Sequence, residues 1–161
     1  MKIGIISDSH DRIENTNRAI ELLMKKGAKI LIHCGDFCAP FMMNELIKFK
    51  GEVHCVFGNI DDRFTTANRA KELKINFHGD MAKLEIAGKK ILVNHYPDIA
   101  RAFAFTGEFD LVCYGHDHTK NKEVIGKTIL LNPGGLWSRK VEPSFALYDT
   151  ETNDVEFFGI E

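Results

Sequence analysis

Five apolar runs in this chain each break off directly into residues that bind metals or move protons. IGIIS leads into Asp8-Ser9-His10, ILIHC into Gly35-Asp36, VHCVF into Gly58-Asn59-Ile60-Asp61, KILV into Asn94-His95, and LVCY into Gly115-His116-Asp117-His118. Short β-rich runs of this kind read as strands, and ligands of open α/β sheets collect beyond the carboxyl ends of the strands. One such ending is ordinary, because Asp and Gly commonly terminate strands and a lone His is usually structural. Five together point to one site. The glycines before Asp36, Asn59 and His116 suit a sharp departure from the strand, where a side chain would obstruct backbone and ligand.

The candidate donors are Asp8, His10, Asp36, Asn59, His95, His116 and His118: two carboxylates, one amide oxygen and four imidazoles. That is too many for one tetrahedral zinc and suits two divalent ions sharing a bridging carboxylate, with positions open for water and substrate. A mixed oxygen and nitrogen set without thiolate accepts manganese, iron, nickel, cobalt or zinc, so the donors alone do not select the metal. Cys34, two residues before Asp36, reads as a buried strand thiol and not as a ligand. His33 either supports a ligand from behind or is a hydrogen-bonded core histidine. His54 and His78 have no motif around them, and Arg63, Arg101 and Arg139 read as solvated loop cations near the motifs.

The elements that must position these residues follow from periodicity. A strand at Lys2 to Ser7 precedes a helix from about Arg12 to Lys26, with Ile13, Ile20, Leu23 and Met24 at helical spacing and Gly27 closing it. Strands at Lys29 to Cys34 and Glu52 to Phe57 flank a helix opened by Pro40, and a charged, helical or irregular segment runs to Leu73, giving βαβαβ. Next come strands at Met81 to Ile86 and Lys90 to Asn94, a helix from Pro97 to Phe105, and a strand at Asp110 to Tyr114. Strands at Glu123 to Ile125, Thr128 to Leu131, Ser144 to Tyr148 and Val155 to Phe158 complete the chain. A chain that begins βαβ and ends in hairpins implies two stacked sheets with helices outside.

At 161 residues the length is that of one domain, spanning 1–161, and 44% hydrophobic with 27% charged residues excludes disordered and disulfide-scaffold classes. The net charge of -2, from 21 basic and 23 acidic side chains, gives no global attraction to nucleic acid or an anionic membrane. The four cysteines form no CxxC pair, the opening MKIGIISDSH carries too short an apolar run for a signal peptide, and no segment approaches the ~18–20 apolar residues of a membrane span. A cytoplasmic protein is expected.

The series DSH, GD, GNxD, NH and GHDH, in that order over residues 8 to 118, resembles the calcineurin-like metallophosphoesterase superfamily. The length, the HCGDF stretch at 33–37 and the Asn132-Pro133-Gly134-Gly135 turn are most similar to its compact prokaryotic YfcE-like phosphodiesterase branch. The resemblance implies a four-layer α/β/β/α sandwich. It also implies two divalent ions per chain, manganese foremost and nickel, iron, cobalt or zinc as alternatives. Asp8, His10 and His118 would hold the first ion, Asp36 would bridge, and Asn59, His95 and His116 would complete the second, with Asp36, Asn59 and His95 closest to catalysis.

The implied reaction is hydrolysis of a small phosphodiester by in-line attack of a metal-bridging hydroxide, whose centre, at a net charge of about +1, suits a phosphodiester monoanion. Alternatives are a phosphomonoesterase on the same site, or a protein-binding scaffold like the retromer subunit of this family, since fold alone does not establish catalysis. Enzymes of this shape commonly form homo-oligomers, although no interface pattern is visible. The chain departs from the family signature at Ile60, where a His is usual, so the group expected to protonate the leaving oxygen is missing. Asp61, which orients that His in the family, is then either free for another partner or structural. Tyr96-Pro97 replaces the usual Gly after His95.

Overall fold

The computed structural model describes residues 1–160. Its elements run β1 (Lys2–Ile6), α1 (Ile13–Lys25), β2 (Ile30–His33), α2 (Met42–Leu46), β3 (Glu52–Cys55), α3 (Arg63–Glu72) and β4 (Asn76–Phe77). They continue with β5 (Met81–Ile86), β6 (Lys89–Asn94), α4 (Pro97–Thr106), β7 (Leu111–Cys113), β8 (Asn121–Ile125), β9 (Thr128–Asn132), β10 (Ser144–Asp149) and β11 (Val155–Gly159). The two-residue β4 has no signal in the sequence, and the helix after Pro40 is shorter than the apolar spacing suggested, with Phe49 buried beyond its end.

Two mixed sheets form, in the orders β11-β10-β1-β2-β3-β4 and β5-β6-β7-β9-β8. In the first, β1, β2 and β3 are parallel, with Ile3 beside Ile30 and Ile30 beside Glu52. In the second, β6, β7 and β9 are parallel. The antiparallel pairs are the hairpins β5-β6, β8-β9 and β10-β11 and the long-range pair β1-β10; Ala87 and Gly88 join β5 to β6 with φ of 50° and 76°, the pair of positive values that a two-residue hairpin requires.

The two-residue side-chain period of a strand sorts the apolar residues into layers. Ile3, Ile5, Ile30 and Ile32 pack against Val93, Leu111, Cys113 and Leu131 between the sheets. Ile6 and Leu31 face the other way, onto Ala19, Ile20 and Leu23 of α1 and Met42, Met43 and Leu46 of α2. Leu92, Val112 and Leu130 meet Ala100 and Ala104 of α4 on the far face of the second sheet. The order is therefore helix, sheet, sheet, helix. Burial of one such Leu or Ile stabilises the fold by roughly 1.5–3 kcal/mol, so the stacking of the sheets is strongly determined. Among the described residues no helix is long and apolar enough to cross a membrane.

Candidate metal centre

The parallel strands of both sheets release the chain along one shared edge. Asp8, His10, Asp36 and Asn59 follow β1, β2 and β3 of the first sheet, while His95, His116 and His118 follow β6 and β7 of the second. Five of these seven residues lie in the left-handed region, Asp8 (φ 52°), His10 (42°), Asp36 (60°), His116 (76°) and His118 (57°). Such values are uncommon outside glycine, and residues held there cost of order 1–3 kcal/mol each. The fold spends that strain where all the donors meet.

Asp8, His10 and His118 form one convergent group, and Asp36, His95 and His116 a second. In the first, the Nε2 atoms of His10 and His118 are 3.2 Å apart and the Asp8 carboxylate lies 3.8 and 3.3 Å from them. In the second, Asn59 Oδ1 is 3.0 Å from His95 Nε2 and 2.7 Å from His116 Nδ1. Donors bound about 2.0–2.1 Å from a common ion stand roughly 3.0–3.4 Å from one another, and the observed separations straddle that spacing. Asp36 joins the groups: its Oδ2 is 3.7 Å from His10 Nε2 and 3.4 Å from His95 Nε2.

His95 gives the sharpest sign that a cation belongs here. Its Nδ1–H donates to the Cys34 carbonyl at 2.8 Å, which leaves a lone pair on Nε2 of the neutral ring. That lone pair faces two further acceptors, Asn59 Oδ1 at 3.0 Å and Asp36 Oδ2 at 3.4 Å, in a fully buried side chain. A metal ion, or a proton on Nε2, satisfies all three groups at once. Burial lowers the His95 pKa, but the Asp36 hydrogen bond and the charges of Asp8 and Asp36 outweigh it and raise it overall. His118 is raised chiefly by its contact with Asp8. Burial opposes ionisation of Asp8 and Asp36, yet the imidazoles hold both carboxyls below the usual range, Asp8 well below it. The donor set therefore carries negative charge and lone pairs suited to divalent cations.

The loops bearing these donors are fixed from behind. Asp61 accepts four backbone N–H bonds, from Gly58 (2.7 Å) and Asp36 (3.0 Å) on Oδ2 and from Phe37 (2.6 Å) and Cys38 (3.0 Å) on Oδ1. Burial pushes its carboxyl up while those N–H donors pull it back. Asp61 is thus structural, clamping the loop after β2 around Asp36. His33 is a core histidine that also ties the motifs together: its Nδ1 accepts from Gly35 N–H at 3.1 Å, so its Nε2–H donates to Ser9 Oγ at 3.0 Å. Burial drives its pKa down to about 3 and keeps it neutral. A Cβ on Gly58 would strike the Asp36 carboxylate, and one on Gly115 would strike Ser7 and Asp8.

Other candidates fall away from the centre. Asp117 points aside, accepting from Asn132 Nδ2 (2.6 Å) and Thr119 N–H (3.0 Å). Cys34, Cys55 and Cys113 are buried free thiols. His54 and His78 bond each other at 3.0 Å. Trp137 was not signalled by any spacing, because a loop after β9 delivers it; its ring packs on His10 and His118, with centroids 5.0 and 5.9 Å away.

The two-sheet sandwich carries two His/Asp groups at its shared strand edge, each able to hold a metal ion, and residues 1–153 match the calcineurin-like phosphoesterase superfamily domain, to which the chain belongs. It is similar to phosphodiesterase MJ0936 of Methanocaldococcus jannaschii, at 30% identity with all of each chain covered. Among solved structures, a novel archaeal phosphodiesterase superimposes with a TM-score of 0.92 at 28% identity, covering 99% of this chain and 100% of that one. The Escherichia coli phosphoesterase YfcE superimposes with a TM-score of 0.72 at 19% identity, covering 100% of each chain, and shares the fold.

Proposed function

We propose that residues 1–161 act as a single-domain, manganese-dependent phosphodiesterase of the cytoplasm. The observation that carries this reading is Asp36, whose carboxylate faces both donor groups at once. Asp8, His10 and His118 would hold one ion, Asn59, His95 and His116 the other, and Asp36 both. Two divalent ions held there supply Lewis-acid stabilisation of the phosphoryl oxygens and a deprotonated water as nucleophile. The similarity to phosphodiesterase MJ0936 over its full length supports a diester substrate.

The chain's own contribution is placement. Asp61 and His33 hold the backbone of the donor loops, the Cys34 carbonyl fixes the tautomer of His95, and the left-handed turns aim the ligands inward. In the displacement the water oxygen bonds to phosphorus as the opposite P–O bond breaks, and the departing oxygen takes up a proton. Ile60 is 43% exposed at the point where the family acid stands and cannot supply that proton. Good leaving groups such as aryl oxides are therefore favoured, since general acid catalysis contributes about 10² to 10⁴ fold.

The test is hydrolysis of mono- and bis-(p-nitrophenyl) phosphate by metal-stripped protein, with manganese, nickel, iron, cobalt and zinc restored in turn. The bis ester should be turned over fastest, with manganese, and the stripped protein should be inactive. Preference for the mono ester would make the protein a phosphomonoesterase. Metal binding without turnover of either ester would assign it to the scaffold class.

A further inference from the structure

The two ring nitrogens of His10 have different neighbours. Nε2 faces the donor groups, 3.2 Å from His118 Nε2, 3.8 Å from Asp8 Oδ1 and 3.7 Å from Asp36 Oδ2. Nδ1 faces Cys38 Sγ at 3.7 Å, a hydrogen-bonding distance for sulfur. Cys38 is only partly buried, unlike the other three cysteines, and its sulfur stands outside both convergent donor groups. It is therefore behind a candidate ligand and not among the ligands.

The backbone builds this contact. The turn after β2 is laced to the turn after β1, because Asp8, His10 and Asp11 donate their N–H groups to the carbonyls of Gly35, Asp36 and Phe37 at 3.0, 3.1 and 3.1 Å. Ala39 N–H then donates to Asp11 Oδ1 at 2.9 Å. Both chain neighbours of Cys38 are thus bonded to Asp11, the residue after His10. The Cys38 N–H itself is taken by Asp61 Oδ1 at 3.0 Å. These bonds hold Cys38 at φ 75°, in the left-handed region that is uncommon outside glycine, Asn and Asp. Trp137 packs against the same imidazole, with centroids 5.0 Å apart.

An ion on Nε2 of a neutral imidazole uses that lone pair, so the ring proton sits on Nδ1, and the group that accepts it fixes tautomer and orientation. We infer that Cys38 is a positioning residue for the metal centre: its sulfur accepts the His10 Nδ1–H and aims Nε2 at the first ion. It is the counterpart of the Cys34 carbonyl behind His95. One loop then supplies both the carboxylate shared by the two donor groups, Asp36, and the sulfur that orients a ligand of the first. The inference rests on the dinuclear reading of the site and adds what orients one of its ligands.

Zinc is the probe, because it is diamagnetic and leaves the imidazole resonances visible. In the zinc-loaded wild type, 15N NMR of the imidazoles should show His10 protonated on Nδ1 and bound through Nε2. Cys38→Ala removes the acceptor. Zinc affinity, measured by chelator competition and followed at the His10 and His95 resonances, should then fall at least about 10-fold at His10, the loss expected when the partner of a metal-ligating His is removed, and change less than about twofold at His95. Cys38→Asn returns an acceptor oxygen on a side chain that tolerates the left-handed turn, and should bring the affinity at His10 back to within about threefold of wild type. Unchanged affinity at His10 in Cys38→Ala overturns the inference. So does Cys38→Asn as weak as Cys38→Ala, which would make residue 38 a packing position. Zinc stoichiometry of the wild type judges the centre separately: fewer than two ions per chain refutes the dinuclear reading, whereas two ions held equally well by Cys38→Ala refutes only the role of Cys38.

Discussion

Asp61→Asn removes one oxygen from a carboxylate that has no spare lone pairs to give. Each oxygen of Asp61 receives two backbone N–H groups, Gly58 and Asp36 on one and Phe37 and Cys38 on the other. Whichever way the amide is turned, its NH2 faces two N–H donors, so two buried hydrogen bonds are lost and donor opposes donor. Leaving a buried N–H unsatisfied costs about 1–3 kcal/mol. Relaxation of the loop recovers part of this, and a net loss of about 3 kcal/mol is expected. At roughly 2–4 °C per kcal/mol for a chain of this size, the metal-free protein should melt about 6–12 °C lower. Because the loop that moves carries Asp36, manganese affinity and kcat should each fall at least about 10-fold. The assay is calorimetric melting of the stripped protein, followed by metal titration and turnover of bis-(p-nitrophenyl) phosphate. A Tm within about 1 °C of wild type and unchanged metal affinity would refute the clamp.

Asp36→Asn keeps the shape and loses the charge shared by both donor groups, so it should reduce kcat more than Asn or Ala at any other single ligand and lower manganese content from two ions towards one; steady-state kinetics with elemental analysis checks both. Ile60→His should speed hydrolysis of alkyl esters by up to about 10-fold, or about 1.4 kcal/mol, and aryl esters less. The gain is capped because Asp61 is filled by backbone donors and cannot orient the new ring; equal effects on both ester series would mean that residue 60 acts through packing. Metal uptake by the stripped protein should fall steadily with decreasing pH, starting above the ordinary histidine value of about 6.5. His95 and His118 have raised pKa values, so protons occupy those nitrogens at a pH where a free imidazole is already neutral; isothermal titration between pH 5 and 8 should show the proton release.

The strands and their polar ends are legible in the sequence because buried parallel strands are short apolar runs, and a run that stops in Asp, Asn or His announces both an element and a candidate ligand. The hairpin at Ala87-Gly88 and the helix from Pro97 are local and equally readable. What the sequence hides is made by backbone groups and by loops. Asp61 serves four N–H groups from two separate turns, a role that no spacing encodes, and the sequence left it poised between two readings. His33 is a core histidine that also ties two motif loops together, and its tautomer follows only from the Gly35 N–H beside it. Three arginines that look alike in sequence part company once Asp80 and Glu123 neutralise Arg63 and Arg101 and leave Arg139 on Trp137. The strand β4 is two residues long, below the length at which alternation can be seen.

The central claim is that this edge of the sandwich holds two metal ions with Asp36 between them. Anomalous diffraction at the manganese edge, on crystals of protein loaded with excess manganese, tests it directly. The account predicts two peaks within about 4 Å of each other, both in contact with Asp36, one ringed by Asp8, His10 and His118 and the other by Asn59, His95 and His116. A single fully occupied peak, with Asn59 and His95 turned away from it, would contradict the account.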